Sequence, residues 1–243
     1  MILILLASGR GKRLKNISKS RPKCLTFVND NQTIMDHTKK IFHLFKKVII
    51  VTGYKSNLVV KSLQEHKNVK FVKNKDYKKT NMVTSMCLSN KYVNDDVIIS
   101  YTDILYSESL IKRLIKSKKD IVALKKNWFP LWRQRFGSLK NIKNDAENII
   151  VKKGYIFEIG TKIKNKLPKY QYMGILRFSK NKFKKICKIY SKYKDKNVSM
   201  TDFLNFLIQK KRINFNYIST TSYWFEIDNK KDLFVTRKLF HKN

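Results

Sequence analysis

Residues 2–25 open with Ile2-Leu3-Ile4-Leu5-Leu6-Ala7-Ser8-Gly9-Arg10-Gly11-Lys12-Arg13-Leu14 and, after a short polar stretch, reach Arg21-Pro22-Lys23-Cys24-Leu25. An apolar run that empties into a glycine-containing, cationic loop predicts a buried strand followed by a turn able to hold phosphates. Gly9 and Gly11 let backbone N–H groups approach an anion closely, and the Lys and Arg residues supply the balancing charge. Two better-known phosphate loops do not fit. The Walker pattern needs Ser or Thr after its lysine, and Lys12 is followed by Arg13. The dinucleotide fingerprint needs a third glycine where Leu14 stands. The plain alternative is a turn with a few solvated charges.

Working outward, strand-like and helix-like segments alternate. Ile2–Leu6, Val48–Val51, Val69–Val72, Val97–Tyr101 and Ile121–Leu124 read as strands. Thr33–Phe45, a segment capped by Ser56 with Val59, Val60 and Leu63 inward, Asn81–Tyr92, and a Ser107-capped segment read as helices. This alternation argues for an α/β fold, a mostly parallel sheet covered on both faces. Ligands on such sheets bind beyond the carboxyl ends of the strands, where the glycine loop and Asp103 would both sit. From Trp128 the texture changes to aromatic, then acidic, with strands at Ile149–Val151, Tyr155–Ile159 and Tyr172–Phe178. Residues 126–178 are therefore expected to form a small insertion that covers a substrate. Helices near Lys180–Tyr193 and Ser199–Lys210, a strand at Asn214–Ser219 and a last helix from Asn229 complete the chain. No linker or repeat interrupts it, so residues 1–243 are expected to form one domain.

The chain has 243 residues, enough for one substantial core. No apolar run is long enough to span a membrane, and the initial run is too short for a signal peptide, so a cytoplasmic protein is expected. Cys24, Cys87 and Cys187 follow no metal or disulfide spacing and are expected as reduced thiols. His37, His43, His66 and His241 form no ligand set and are expected on helix surfaces. The net charge of +37 is the footprint expected of a nucleic-acid binder. The lysines are nevertheless spread from Lys12 to Lys242, with no nucleic-acid-binding motif beside them. An AT-rich genome gives the same composition, so a nucleic-acid partner is not expected.

Asp103 closes the strand in Ile99-Ser100-Tyr101-Thr102-Asp103, where a carboxylate can hold Mg²⁺ bridging nucleotide phosphates. The competing role is a strand-end turn. Asp228, after Trp224-Phe225-Glu226-Ile227, is a second carboxylate at the end of an apolar stretch. Its competing role is a cap for the helix over residues 229–240.

Leu6–Leu14 followed by Arg21–Leu25 resembles the first motif of the nucleotidyltransferases that make nucleoside-diphosphate sugars and headgroups. Asp103 and Asp228 correspond to that superfamily's metal-binding aspartates, and Thr80-Asn81-Met82-Val83-Thr84-Ser85 looks like the pyrimidine-holding segment of its cytidylyltransferases. Asn127-Trp128, Leu131-Trp132, Arg135-Phe136, Asp145-Ala146-Glu147, Glu158-Ile159-Gly160, Lys162 and Tyr172-Met173-Gly174 extend the resemblance. They are similar to the branch that loads cytidylyl groups onto phosphocholine, aminoalkylphosphonates or phosphorylated amino-acid amides. Thr102 departs from the pattern, since relatives usually carry glycine there.

The resemblance implies a Rossmann-like three-layer sandwich with a mostly parallel mixed sheet. It also implies a bacterial, Mg²⁺-dependent cytidylyltransferase that uses CTP and a small anionic acceptor, making headgroups for capsule, surface glycan or lipid decoration. Arg13 would grip the triphosphate tail and Lys23 the α-phosphate. Leu6, Ala7, Ser8, Gly9, Arg10, Gly11, Lys12, Thr80, Asn81, Ser85 and Thr102 would line the nucleotide. Trp128, Trp132, Asp145, Glu147, Lys162 and Tyr172 are the candidates for the acceptor. An aromatic cage, for which Trp128, Trp132, Tyr170 and Tyr172 are available, would suit a quaternary ammonium, and Asp145 or Glu147 a primary amine. A sugar-1-phosphate nucleotidyltransferase and a non-enzymatic nucleic-acid binder are the alternatives. The oligomeric state, a homodimer among the options, is left open.

Overall fold

Residues Ile2–Ala7 form strand β1, and every one of them is buried. An uninterrupted apolar strand needs cover on both faces, and full burial of each Leu or Ile side chain stabilises the fold by about 1.5–3 kcal/mol. The computed structural model describes residues 1–164 and 166–240. His241, read above with the other histidines, lies outside them.

After β1 come α1 (Asn16–Ser20), α2 (Ile34–Lys39), β2 (Lys47–Thr52), α3 (Ser56–Leu63), β3 (Val69–Lys73) and α4 (Met82–Leu88). The middle of the chain forms β4 (Val97–Tyr101), β5 (Ile104–Tyr106), α5 (Glu108–Lys116), β6 (Ile121–Lys125), α6 (Phe129–Phe136) and α7 (Leu139–Asp145). Then follow β7 (Glu147–Lys152), β8 (Tyr155–Lys162), β9 (Gln171–Phe178), α8 (Lys180–Ser191), α9 (Met200–Lys211), β10 (Asn216–Thr220), β11 (Trp224–Glu226) and α10 (Lys230–Phe240).

Nine strands make one sheet in the order β3-β2-β1-β4-β9-β6-β10-β8-β7. All but β8 and β9 run in one direction, because β9 pairs antiparallel with β4 and β6, and β8 with β10 and β7. The mostly parallel mixed sheet expected from the alternation is therefore present. β1 lies between β2 and β4 in parallel register, Leu6 opposite Val51 and Tyr101. The glycine loop and the Thr102-Asp103 turn consequently leave the sheet at the same edge. β5 and β11 form a separate antiparallel ribbon with Glu226 opposite Ile104, and the Ile227 amide donates to the Asp103 carbonyl at 2.9 Å. That ribbon carries the C-terminal Asp228 to the β4 edge.

Three local expectations are corrected. The insertion does not extend to residue 178, since β9 is the strand between β4 and β6 inside the sheet. Gly174 permits this: its φ is +75°, and a Cβ there would lie 2.8 Å from the Tyr101 ring. Helix α3 begins at Ser56, but its cap is Lys55, in a left-handed conformation with no side-chain cap. His37 is not a helix-surface residue either. Its ring packs edge-on against Phe240, its Nε2 lies 3.0 Å from the Tyr106 carbonyl, and burial lowers its pKa. Among the described residues, no helix is long and apolar enough to cross a membrane.

Candidate active site

The edge where β1 and β4 end opens into a cleft of about 340 Å³. Leu6, Ala7, Gly9, Gly11, Lys12, Arg13, Lys23, Asn81, Thr102, Asp103 and Asp228 line it, together with Glu226 and Tyr101. Gly11 sits at φ +60°, and a Cβ there would come within 3.1 Å of the Lys23 Cβ. The glycine therefore serves both the turn and the close approach of Lys23. Pro22, extended, sets Lys23 at the start of a short 3-10 turn.

Lys23 is the centre of the cleft. Its Nζ donates to Asp103 Oδ2 at 2.7 Å and to Asp228 Oδ1 at 2.6 Å. Burial alone would lower its pKa, but the charges of Asp103 and Asp228 more than offset this and hold the ammonium above its ordinary value. Burial pushes Asp228 up, yet Lys23, Arg13 and Arg135 together hold its carboxyl below the usual range. The Arg13 guanidinium, mostly exposed, reaches Asp228 Oδ1 at 2.9 Å. Arg135 is buried beneath, donating to Asp232 at 2.9 and 3.1 Å and to Glu226 Oε2 at 3.1 Å. Burial, then the Asp228 charge, push the Glu226 carboxyl up to about 8.

Asp228 is not the cap of α10. Asn229 Oδ1 accepts from the amides of Lys231 and Asp232, which leaves the Asp228 carboxylate facing Lys23. Asp103 Oδ1 is buried without a hydrogen-bond partner among the described residues. A buried carboxylate oxygen left open, beside a second carboxylate, fits Mg²⁺, which takes one or two protein carboxylates plus substrate phosphates and waters. No set of three or more His, Cys, Asp or Glu side chains able to hold a metal occurs among the described residues. A phosphate-bridged cation needs none. Cys24 lines the cleft, but burial pushes its thiol up to about 12, so it supplies no thiolate at neutral pH.

The remaining nucleotide candidates divide. Asn81 caps α4 and lines the cleft. Thr102 also lines it, with Oγ1 turned back to donate to the Leu6 carbonyl at 2.9 Å. Ser8, Thr80 and Ser85 lie behind the cleft in one network. Ser85 Oγ donates to Ser8 Oγ at 3.0 Å, and the buried Asn74 amide donates to Ser85 Oγ at 3.1 Å and to Thr80 Oγ1 at 3.0 Å. Arg10 does not line the cleft. It is exposed, with its guanidinium 5.9 Å from the Tyr54 ring centre.

A second cavity, about 220 Å³, shares Arg13, Met82, Tyr101, Glu226 and Asp228 with the cleft. Trp132, Asp145, Glu147 and Tyr172 line it, as do Gln171 and Thr201. Two acceptor candidates do not. Trp128 is buried with its Nε1 donating to the Pro168 carbonyl, and Lys162 is exposed at the end of β8. Sequence reading assigned no role to Tyr101, Asn74, Glu226 or Arg135. Tyr101, Glu226 and Arg135 stood inside quoted stretches, whereas Asn74 gave no signal beyond that of an ordinary strand-end residue.

Residues 2–242 match the nucleotidyl transferase family. The chain is 31% identical to the CTP:phosphoglutamine cytidylyltransferase of Campylobacter jejuni subsp. jejuni serotype O:2, over 97% of this chain and 98% of that protein. Among solved structures, the inositol-1-phosphate CTP transferase of T. maritima has the same fold, with TM-score 0.78 and 19% identity over 98% of this chain and 95% of that one. The CTP:phosphocholine cytidylyltransferase of Streptococcus pneumoniae likewise shares the fold, with TM-score 0.76 and 15% identity over 98% and 99% of the two chains. Matched along nearly its whole length, this chain belongs to the nucleotidyl transferase family.

Proposed function

We propose that the protein is a Mg²⁺-dependent cytidylyltransferase that transfers CMP from CTP to a small phosphorylated or phosphonate acceptor, releasing pyrophosphate. The observation that carries this reading is the placement of Lys23 between Asp103 and Asp228, at the foot of the Gly9–Arg13 loop. The choice of CTP is supported by the likeness to the phosphoglutamine cytidylyltransferase.

In the proposed reaction an anionic acceptor oxygen bonds to the α-phosphorus while the bond to the α,β-bridging oxygen breaks. The released electron pair leaves with pyrophosphate. The attacking oxygen is already ionised near neutral pH, so no side chain has to remove a proton. What the chain supplies is alignment and charge neutralisation. Lys23 releases its carboxylates and turns its ammonium to the α-phosphate. Arg13 holds the triphosphate tail, and the Gly9 and Gly11 backbone lies along it. Asp103 and Asp228 would hold Mg²⁺, which supplies further neutralisation of the phosphates. The second cavity takes the acceptor, lined from α6, α7, β7, β9 and α9, with the chain acting as one domain. The product would be a CDP- or CMP-linked headgroup, made in the cytoplasm for decorating surface glycans or lipids.

The test is pyrophosphate release with each of the four NTPs, against phosphocholine, aminoethylphosphonate, phosphoglutamine and glucose-1-phosphate. Turnover with CTP and one of the first three is expected. Turnover confined to a sugar phosphate would establish the sugar-nucleotide alternative instead.

A further inference from the structure

The second cavity holds an unusual electrostatic feature for a chain with net charge +37. Glu147 is half-buried at its wall and accepts one hydrogen bond, from Thr201 Oγ1 at 2.8 Å. Among the described residues no lysine or arginine pairs with it, although Lys162 stands directly opposite across β7 and β8. Burial, and then the charges of Asp202 and Asp145, raise its pKa. Asp145 accepts from Trp132 Nε1 at 2.9 Å and is also raised by burial, with Arg135 opposing. A second observation points to a ligand: the buried Tyr172 hydroxyl, at the same wall beside the Tyr101 phenol, makes no well-formed hydrogen bond among the described residues. A half-buried carboxylate without a cation and a buried phenol without a well-formed hydrogen bond are each costly unless something arrives to satisfy them.

Four aromatic side chains line the cavity, Tyr101, Trp132, Tyr172 and Trp224, but they pack on one another, Tyr101 edge-on against Tyr172 and Trp132 against Trp224. Trp128 and Tyr170 do not line it. One face of Trp132 stacks on Trp224, with centroids 5.3 Å apart and planes 18° from parallel, and the Arg135 guanidinium already lies 4.6 Å from its ring centre. Little aromatic face is left for a quaternary ammonium. Hydrogen-bond acceptors, by contrast, are in surplus.

We propose that this cavity receives a primary ammonium group at the far end of the acceptor, hydrogen-bonded by Glu147 and the Tyr172 hydroxyl and held in the field of Asp145. The acceptor is then an amino-bearing phosphate or phosphonate, neither a sugar phosphate nor a quaternary amine. This rests on the cytidylyltransferase reading and narrows it.

The test compares kcat/KM for aminoethyl phosphate, ethyl phosphate and phosphocholine with CTP and Mg²⁺. Aminoethyl phosphate is expected to exceed ethyl phosphate by on the order of 100-fold, expressed chiefly in KM, and to exceed phosphocholine by about 10-fold or more. In Glu147→Gln the preference over ethyl phosphate should collapse toward about 1, and Glu147→Asp should recover part of it. The comparison within the native protein stands even if a variant folds poorly. Equal efficiency with ethyl phosphate, a preference for phosphocholine, or an unchanged preference in a folded Glu147→Gln variant would overturn the inference alone. Absence of CTP binding by calorimetry, with no pyrophosphate from any of the three acceptors, would overturn the parent reading and this one with it.

Discussion

Lys23 Nζ lies 2.6 Å from Asp228 Oδ1, although 205 positions separate the two residues in the chain. The contact joins the turn after the first strand to the turn before the last helix. It forms because β11 pairs with β5, the strand that directly follows Asp103. One lysine thus neutralises both carboxylates proposed to hold a divalent cation, so a cation held there would compete with the ammonium for them.

Replacing Lys23 tests that competition. Lys23→Ala should lower kcat for pyrophosphate release by about 10²–10³-fold, since a charge aimed at the reacting phosphate is lost. The variant leaves Asp103 and Asp228 without the shared cation, so Mg²⁺ added alone should raise its melting temperature more than it raises that of the native protein. Equal shifts in the two proteins would show that Lys23 does not guard the cation's oxygens.

Glu226 gives a pH signature. The folded protein keeps its proton up to about 8, whereas the unfolded chain releases it near 4.5. The native state therefore binds the extra proton, and the stability tied to this group falls as pH rises from about 4.5 to about 8, levelling beyond. Between pH 5 and pH 8 the native protein should lose on the order of 2–4 kcal/mol more than Glu226→Gln does in urea unfolding. Parallel profiles for the two proteins would remove the assignment.

Arg135 holds the floor of the site. It is buried with Asp232, and both side chains are 1% exposed. Arg135→Met should destabilise the fold by about 3–5 kcal/mol, because it leaves Asp232 as an uncompensated buried charge and frees Glu226. Chemical denaturation is the check. A change under 1 kcal/mol would mean that the carboxylates find other partners.

Gly174 lets the sheet and the cleft coexist. Gly174→Ala would place its Cβ 2.8 Å from the Tyr101 ring at φ +75°. A loss of about 1–3 kcal/mol is expected, with a raised KM for CTP as Tyr101 shifts into the cleft. Unaltered stability and KM would show that the ring yields freely.

The parts of the site legible in the sequence are those governed by neighbours in the chain. The apolar β1 run, the glycine loop and the strand-end Asp103 each announce their place through local pattern, and parallel pairing of β1 with β4 then brings them together. The parts that were hidden depend on contacts beyond immediate chain neighbours. Nothing near Asn74 signals that its amide joins Thr80 and Ser85 behind the cleft. The position of β9 in the middle of the sheet is set by its partners, and the sequence of Gln171–Phe178 fits an edge insertion equally well. Trp128 and Trp132 share one helix face, and only tertiary packing decides that Trp132 reaches the second cavity. Arg10 matches the loop pattern yet turns outward, with its guanidinium 5.9 Å from the Tyr54 ring centre.

A crystal structure with magnesium CTP bound tests the central claim most directly. The account predicts the triphosphate along Gly9–Arg13, Lys23 Nζ at the α-phosphate, and Asp103 and Asp228 turned from the lysine to the cation. A nucleotide bound elsewhere, with Lys23 still holding both carboxylates, would contradict it.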